Sequence, residues 1–227
     1  MTTFSFHTVT PSDYTKVLNL FWTELIPHEE TTRLSKSYNK TEISNLDLTM
    51  HAVLQLNVSY MAKTPSQEIA GVLFCAIDEI HTLADELPDE TIYRYRGWPE
   101  NFIKVLLLLD RLIDHKQFMK NKIVKQKLDL FALVVKKKYR RQGLATQLIS
   151  KAIEEAKKMR FTLITMICTS GFTQRCCNKL GFTVENTILY KDWYHKAIKV
   201  CNEDEIDPLH QSVVVYSKCI CVHCISL

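Results

Sequence analysis

The residues best suited to chemistry stand between Leu128 and Gly181. An apolar run, Leu130-Phe131-Ala132-Leu133-Val134-Val135, leads into the basic segment Lys136-Lys137-Lys138-Tyr139-Arg140-Arg141. Gln142-Gly143-Leu144-Ala145 follows and opens an amphipathic stretch. The first turn of a helix carries N–H groups without partners and a partial positive charge, and together these bind phosphate. Gly143 and the small Ala145 let a pyrophosphate come close to the backbone, and Arg140 and Arg141 add charge-assisted contacts. Strand, basic glycine-containing turn and helix therefore point to a phosphate-bearing cofactor. GxGxxG and GKS/T are both missing, so the segment is neither a Rossmann fingerprint nor a P-loop. A solvated charge run and a nuclear-localisation patch are competing readings, and the residues alone leave them open.

Several elements must position that segment. Phe4 to Val9 alternates and reads as a short strand. Pro11-Ser12-Asp13 starts a helix, with Ser12 or Asp13 as N-cap, and Val17, Leu18, Phe21, Trp22 and Leu25 form its apolar face. Pro27 ends it and opens a polar loop, His28 to Lys40. The spacing predicts a second helix over 43–56. Val58 to Lys63 and Ile69 to Ile77 read as a hairpin around Thr64-Pro65-Ser66-Gln67. Residues 78–99 are irregular, and helical periodicity returns over 100–119. Leu128 to Val135 reads as a strand buried on both faces. The 142–160 helix turns Leu144, Leu148, Ile149, Ala152, Ile153 and Ala156 to one side. A strand over 161–168, a short helix over 173–180, and strands over 182–190 and 212–216 complete the chain.

The composition fits one globular domain spanning 1–227. The chain holds 46% hydrophobic and 24% charged residues with a net charge of +4, which excludes a mainly disordered state and gives no argument for nucleic acid. A chain of this length would carry about sixteen glycines at the usual frequency. This one has five: Gly71, Gly97, Gly143, Gly171 and Gly181. Its longest apolar run, Val105 to Leu109, falls far short of the ~20 residues that span a bilayer. No secretory signal is visible, so the eight cysteines are expected to be reduced and the protein cytoplasmic, a monomer or weak dimer. Cys219, Cys221 and His223 share a strand face, but at about 6.6 Å between neighbours they suit tetrahedral zinc poorly, and no metal is expected. Cys224-Ile225-Ser226-Leu227 has only the outline of a prenylation box.

The ordered set of motifs resembles the GCN5-related N-acetyltransferase (GNAT) superfamily. Arg140-Arg141-Gln142-Gly143-Leu144-Ala145 fits its Arg/Gln-x-x-Gly-x-Gly/Ala signature, and Asn178-Lys179-Leu180-Gly181-Phe182 fits its closing Lys-Leu-Gly-Phe element. Gly71 matches a glycine often found in the third strand. Cys168-Thr169-Ser170-Gly171-Phe172-Thr173-Gln174-Arg175 is similar to the Ser-x-x-Ser-Ala-Arg stretch of invertebrate arylalkylamine (dopamine-type) N-acetyltransferases. Phe21 through Pro27-His28-Glu29-Glu30 resembles that group's segment after the first helix, with Glu30-Thr31 standing where Pro-Leu is usual.

This resemblance implies an α/β (α+β) acyl-CoA N-acyltransferase fold, with a mixed central sheet of about seven strands flanked by helices and a CoA-binding core over about 128–182. It implies acetyl-CoA as cosubstrate, held in a V-shaped gap between the fourth and fifth strands. Leu133, Val134 and Val135 would offer backbone groups to the pantetheine arm. Arg140, Arg141, Gln142, Gly143, Leu144 and Ala145 would cradle the pyrophosphate, and Ser170 takes the place of an Asn that often contacts CoA. The substrate implied is a small arylalkylamine of the dopamine, serotonin, tyramine or octopamine class. A polyamine, a protein amino group, or a regulator that binds acyl-CoA without catalysis are the alternatives. An alkylamine is protonated at pH 7, by analogy with lysine at about 10.4, so direct attack on the thioester needs a base. The resemblance makes Glu29 that base, with Glu24 and Glu30 as rivals. Cys177 stands where many members carry a tyrosine acid and reads as a small packing residue. Phe102 to Leu112 reads as core. Tyr93, Tyr95 and Trp98 suit either an aromatic pocket or ordinary packing, of which packing is favoured.

Overall fold

The computed structural model describes residues 3–37, 44–79, 98–112 and 126–220. Seven strands form one mixed sheet: β1 (Ser5–Thr8), β2 (Tyr60–Lys63), β3 (Ile69–Glu79), β4 (Gln126–Val135), β5 (Leu163–Cys168), β6 (Thr183–Leu189) and β9 (Ser212–Cys219), in the order β1-β2-β3-β4-β5-β9-β6. All neighbours are antiparallel except β4 and β5, which run parallel. A separate two-stranded ribbon, β7 (Tyr194–His195) and β8 (Ile198–Lys199), interrupts the segment between β6 and β9.

Helices cover both faces because their apolar stripes have nowhere else to go. On one face lies α5 (Leu144–Lys158), with the six apolar residues of its stripe all buried against β2–β5. Beside it packs α6 (Gly171–Lys179). The other face takes α1 (Tyr14–Leu20), the π-helical turn Phe21–Leu25 that continues it, and α3 (Ser44–Gln55), packed on Val72, Phe74 and Val134. A third cluster joins α4 (Glu100–Leu112) and Leu34 to Tyr190, Trp193, Val213 and Val215. Trp98 stacks on Phe102, with ring centroids 5.0 Å apart, and is packing, whereas Tyr93 and Tyr95 lie outside the described residues.

Asp13 stands at the N-cap of α1 as expected, and its carboxylate reaches back to the N–H and hydroxyl of Thr10, which caps the 3-10 turn Pro11–Asp13 ahead of the helix. Three expectations need correction. The polar segment after Pro27 is not all loop: α2 (Glu30–Leu34) forms there and buries Glu30, Thr31, Thr32 and Leu34. Helix α6 starts at Gly171, ahead of Thr173. β4 is not buried on both faces. Phe131 is 41% exposed, and Leu133 and Val135 are only half-buried.

The reason lies in the sheet. β4 and β5 are paired only at Leu128–Ile164 and Asp129–Thr165, after which they separate. β4 stays on β3 as far as Gly71–Val135, with a bulge between the Phe74–Ala132 and Cys75–Leu130 pairs that leaves Phe131 unmatched. A bulge bends and twists its strand, so β4 turns away from β5. The result is a V-shaped opening in the middle of the sheet.

Among the described residues, no helix is long and apolar enough to cross a membrane and no cluster of His, Cys, Asp or Glu is placed to hold a metal. Cys221, His223 and the 224–227 tetrapeptide lie outside the described residues.

Candidate active site

The basic segment sits at the open end of the V. Lys136 donates its N–H to the Ala70 carbonyl at 2.9 Å, so Val134, two residues back, also turns its backbone towards β3. Leu133 and Val135 therefore face the gap. After a 3-10 turn at Lys137–Tyr139, Arg141 (φ 61°) and Gly143 (φ 75°) both adopt the left-handed conformation. A Cβ on Gly143 would meet only the Gln147 amide, at 3.7 Å, so glycine is needed there for its φ rather than for space. Gln147 N–H returns to the Gly143 carbonyl at 3.1 Å and begins the helical ladder. Among the described residues, the N–H groups from Arg141 to Thr146 have no acceptor in the chain. Such a row of free N–H groups at a helix start fits the pyrophosphate of CoA.

The cations of the turn divide. Arg140 donates Nε to the Val135 carbonyl at 2.9 Å and approaches the Glu24 carboxylate at 3.4 Å, so it braces the turn from within. Lys136 and Lys138 bind Glu68. The side chains of Lys137 and Arg141 carry no partner among the described residues.

The three candidate carboxylates also separate. Glu24 is tied to the basic turn, accepting from Lys137 N–H at 3.3 Å and facing Arg140. Glu30 is 7% exposed and accepts both Nε and a terminal nitrogen of Arg33, at 3.1 and 2.7 Å. Glu29 has no cationic partner among the described residues. Its carboxylate caps α2 and accepts from Thr31 N–H (3.1 Å), Thr31 Oγ1 (2.6 Å), Thr32 N–H (2.7 Å) and Thr32 Oγ1 (2.7 Å). Four neutral donors fix its position without cancelling its charge.

Tyr190 links these acids to the gap. Its hydroxyl donates to the Thr169 carbonyl just past β5 at 2.6 Å. Burial holds the phenol protonated well above its ordinary range, and the charges of Glu29 and Glu30 push it further. His210 closes the other side. Its Nδ1 accepts from Gly171 N–H at 3.0 Å, which leaves the Nε2 proton directed towards Glu30, 3.9 Å away. Ser170 caps α6 through Thr173 N–H at 3.5 Å. Cys177 is fully buried, with its sulfur 3.5 Å from that of Cys168 and 3.7 Å from that of Met166, and it faces the core rather than the gap.

Gly171 makes the His210 contact possible. A Cβ there would lie 2.0 Å from the Leu209 carbonyl oxygen, which is backbone and cannot swing aside. Gly171→Ala is expected to destabilise the fold by about 2–3 kcal/mol, lowering Tm by ~5–10 °C in a thermal melt. An unchanged Tm would show that the 207–210 loop yields without cost.

Nothing in the sequence singles out Phe131, Tyr190 or His210. Phe131 is one apolar letter in an apolar run, and Tyr190 and His210 belong to an irregular segment whose path only the fold reveals. The Thr pair after Glu29 was a usable signal, since side-chain oxygens at a helix start bind the N–H groups two and three residues on.

Comparison with known proteins agrees with this geometry. Residues 76–182 match the acetyltransferase (GNAT) family. No curated protein matches the sequence. Among solved structures, arylalkylamine N-acetyltransferase 2 from Aedes aegypti superimposes with a TM-score of 0.83 at 23% identity, over 96% of this chain and 99% of that one. A mosquito arylalkylamine N-acetyltransferase like 5b gives 0.81 at 16%, over 96% and 100%. The Drosophila melanogaster polyamine N-acetyltransferase that forms N-acetylagmatine gives 0.78 at 17%, over 96% and 100%. The split sheet and the free N–H row agree with the match of residues 76–182 to the GNAT acetyltransferases, and the seven-stranded sheet flanked by helices is the GNAT acyl-CoA acetyltransferase fold.

Proposed function

We propose that the protein acetylates the primary amine of a small arylalkylamine, with Glu29 as proton acceptor. The observation that carries the amine assignment is the Glu29 carboxylate: held rigid by four donors and lacking a counter-cation, it attracts an ammonium and takes its proton. Phe131, large and exposed where β4 parts from β5, offers an aromatic surface and supports an aryl substrate. The arylalkylamine enzymes among the similar structures support the same choice.

In this reading the pantetheine arm of acetyl-CoA lies along the outward backbone groups of Leu133 and the outward N–H of Val135, whose carbonyl is held by Arg140. The pyrophosphate meets the free N–H groups of Arg141 to Thr146 and the side chain of Arg141. The amine enters as an ammonium and loses a proton to Glu29. Its nitrogen then attacks the thioester carbon and the C–S bond breaks; the nitrogen gives its second proton to solvent as the amide forms, and the CoA thiolate leaves and takes a proton from solvent. No side chain is assigned as acid, since Cys177 faces the core.

An acetyl-CoA consumption assay over a panel of amines tests the substrate class. Tyramine, dopamine, octopamine and serotonin are expected to give kcat/KM at least about tenfold above agmatine, putrescine and spermidine, the discrimination of one well-placed apolar contact. A preference for agmatine or the polyamines would replace the aryl assignment, and turnover of a protein amino group alone would overturn the small-amine reading.

A further inference from the structure

We propose that Glu68 is a positioning residue for the cofactor turn, sorting its cations so that some shape the turn and others are left for phosphate. This rests on the reading of that turn as the CoA site. Glu68 closes the β2–β3 hairpin, where its carbonyl accepts from Thr64 N–H at 2.9 Å and its own N–H donates to the Thr64 hydroxyl at 3.2 Å. The carboxylate then reaches across to the basic segment. Oε1 accepts from Lys136 Nζ at 2.9 Å, and Oε2 accepts from Lys138 Nζ at 2.8 Å and the Tyr139 hydroxyl at 2.7 Å. The Tyr139 ring is fixed in turn by an edge contact from Phe4, with centroids 5.8 Å apart.

These bonds from Lys138, Tyr139 and Lys136 draw the Glu68 carboxyl down to about 2, so it is an anion at every working pH. An isolated surface ion pair contributes little, but one carboxylate shared by three donors on one short turn is a network with defined geometry. Its location is paradoxical for a site that binds a polyanion. On charge alone, Glu68 weakens the cradle by cancelling cations that would attract CoA. Its geometric effect is the opposite. It draws Lys136 and Lys138 to the hairpin side and fixes the 3-10 turn at Lys137–Tyr139, the segment that leads into Arg141 and the free N–H row. The alternate cations Lys137 and Arg141 keep no partner among the described residues.

The two effects predict opposite signs, which makes the proposal testable. In the purified full-length protein, Glu68→Gln is expected to raise the KM for acetyl-CoA and the Kd for CoA by about tenfold, as for a displaced ligand-positioning group. kcat at saturating acetyl-CoA and the KM for the amine should stay within about twofold, a split that general loss of structure would not give. Tyr139→Phe removes one of the three bonds with no change of charge, and is expected to move the acetyl-CoA KM in the same direction by a smaller factor. If Glu68→Gln lowers that KM, the carboxylate acts only by its charge and the proposal falls. An unchanged KM also overturns it. Arg141→Ala in the same assay reports on the turn itself. If it raises the acetyl-CoA KM while Glu68→Gln does not, the turn binds CoA and only the positioning role is lost. If neither variant moves that KM, the cofactor reading of the turn falls as well.

Discussion

Glu29→Gln is expected to lower kcat at pH 7 by about a hundredfold or more, the usual contribution of a positioned base, while the Kd for CoA stays within about twofold. The variant keeps a side-chain oxygen that can accept from the Thr31 and Thr32 N–H groups, so α2 keeps most of its cap. What it loses is the ability to take a proton. The pH dependence then gives a sharper reading than the rate alone. An alkylamine is almost wholly protonated at pH 7 and largely neutral near pH 10 to 11. Raising the pH supplies the free amine that Glu29 otherwise generates, so the gap between Glu29→Gln and the parent should narrow as pH rises. Full activity at pH 7 would remove Glu29 from the mechanism, and a gap that stays constant with pH would assign it to binding or structure. Glu30→Gln is the companion variant. It leaves Arg33 without its carboxylate, so its main expected effect is a lower Tm.

Gly143→Asp is expected to abolish measurable acetyl-CoA binding without unfolding the protein. The substitution places a negative charge beside the proposed pyrophosphate site. At ~5 Å and an effective dielectric of about 20, one pair of like charges costs about 3 kcal/mol, which is more than a hundredfold in affinity. Aspartate tolerates the left-handed region better than most residues, and its carboxylate is able to accept from the free N–H groups nearby, so little stability is lost. Gly143→Ala separates strain from charge, and is expected to cost affinity far less. The readouts are CoA titration by calorimetry and a thermal melt. Tight CoA binding by Gly143→Asp would remove the pyrophosphate from this turn.

The sequence was readable where periodicity and motif coincide. The stripe on α5 repeats over four turns, so its buried face was legible, and the basic turn ahead of it carries both charge and glycine. Local composition does not report tertiary partners. Arg140 and Arg141 are adjacent and chemically alike, yet one braces the turn against Glu24 and the other has no partner among the described residues. The same limit applies to Glu24, Glu29 and Glu30, which lie within seven residues and differ only in what surrounds them. β4 misleads for a related reason. An apolar run looks the same whether a strand is enclosed by helices or lines a gap, and only the two-pair contact with β5 shows which. Helix α2 was missed because five polar-rich residues are too few to show a period.

The parting of β4 from β5 has a consequence for the company this protein keeps. A strand with unpaired N–H and C=O groups normally lies at the rim of a sheet, where another protein's strand can add to it and start aggregation. Here Leu133 and the Val135 N–H have no strand partner on one side, the Val135 carbonyl being taken by Arg140, while β4 stands fourth of seven strands. β5, β9 and β6 stand beyond the opening, so a foreign strand has no straight approach. A narrow, flexible chain with its own amide groups meets no such barrier, and pantetheine has that form. With the cosubstrate placed as proposed, the fold keeps a strand edge available to it while screening that edge from other polypeptides.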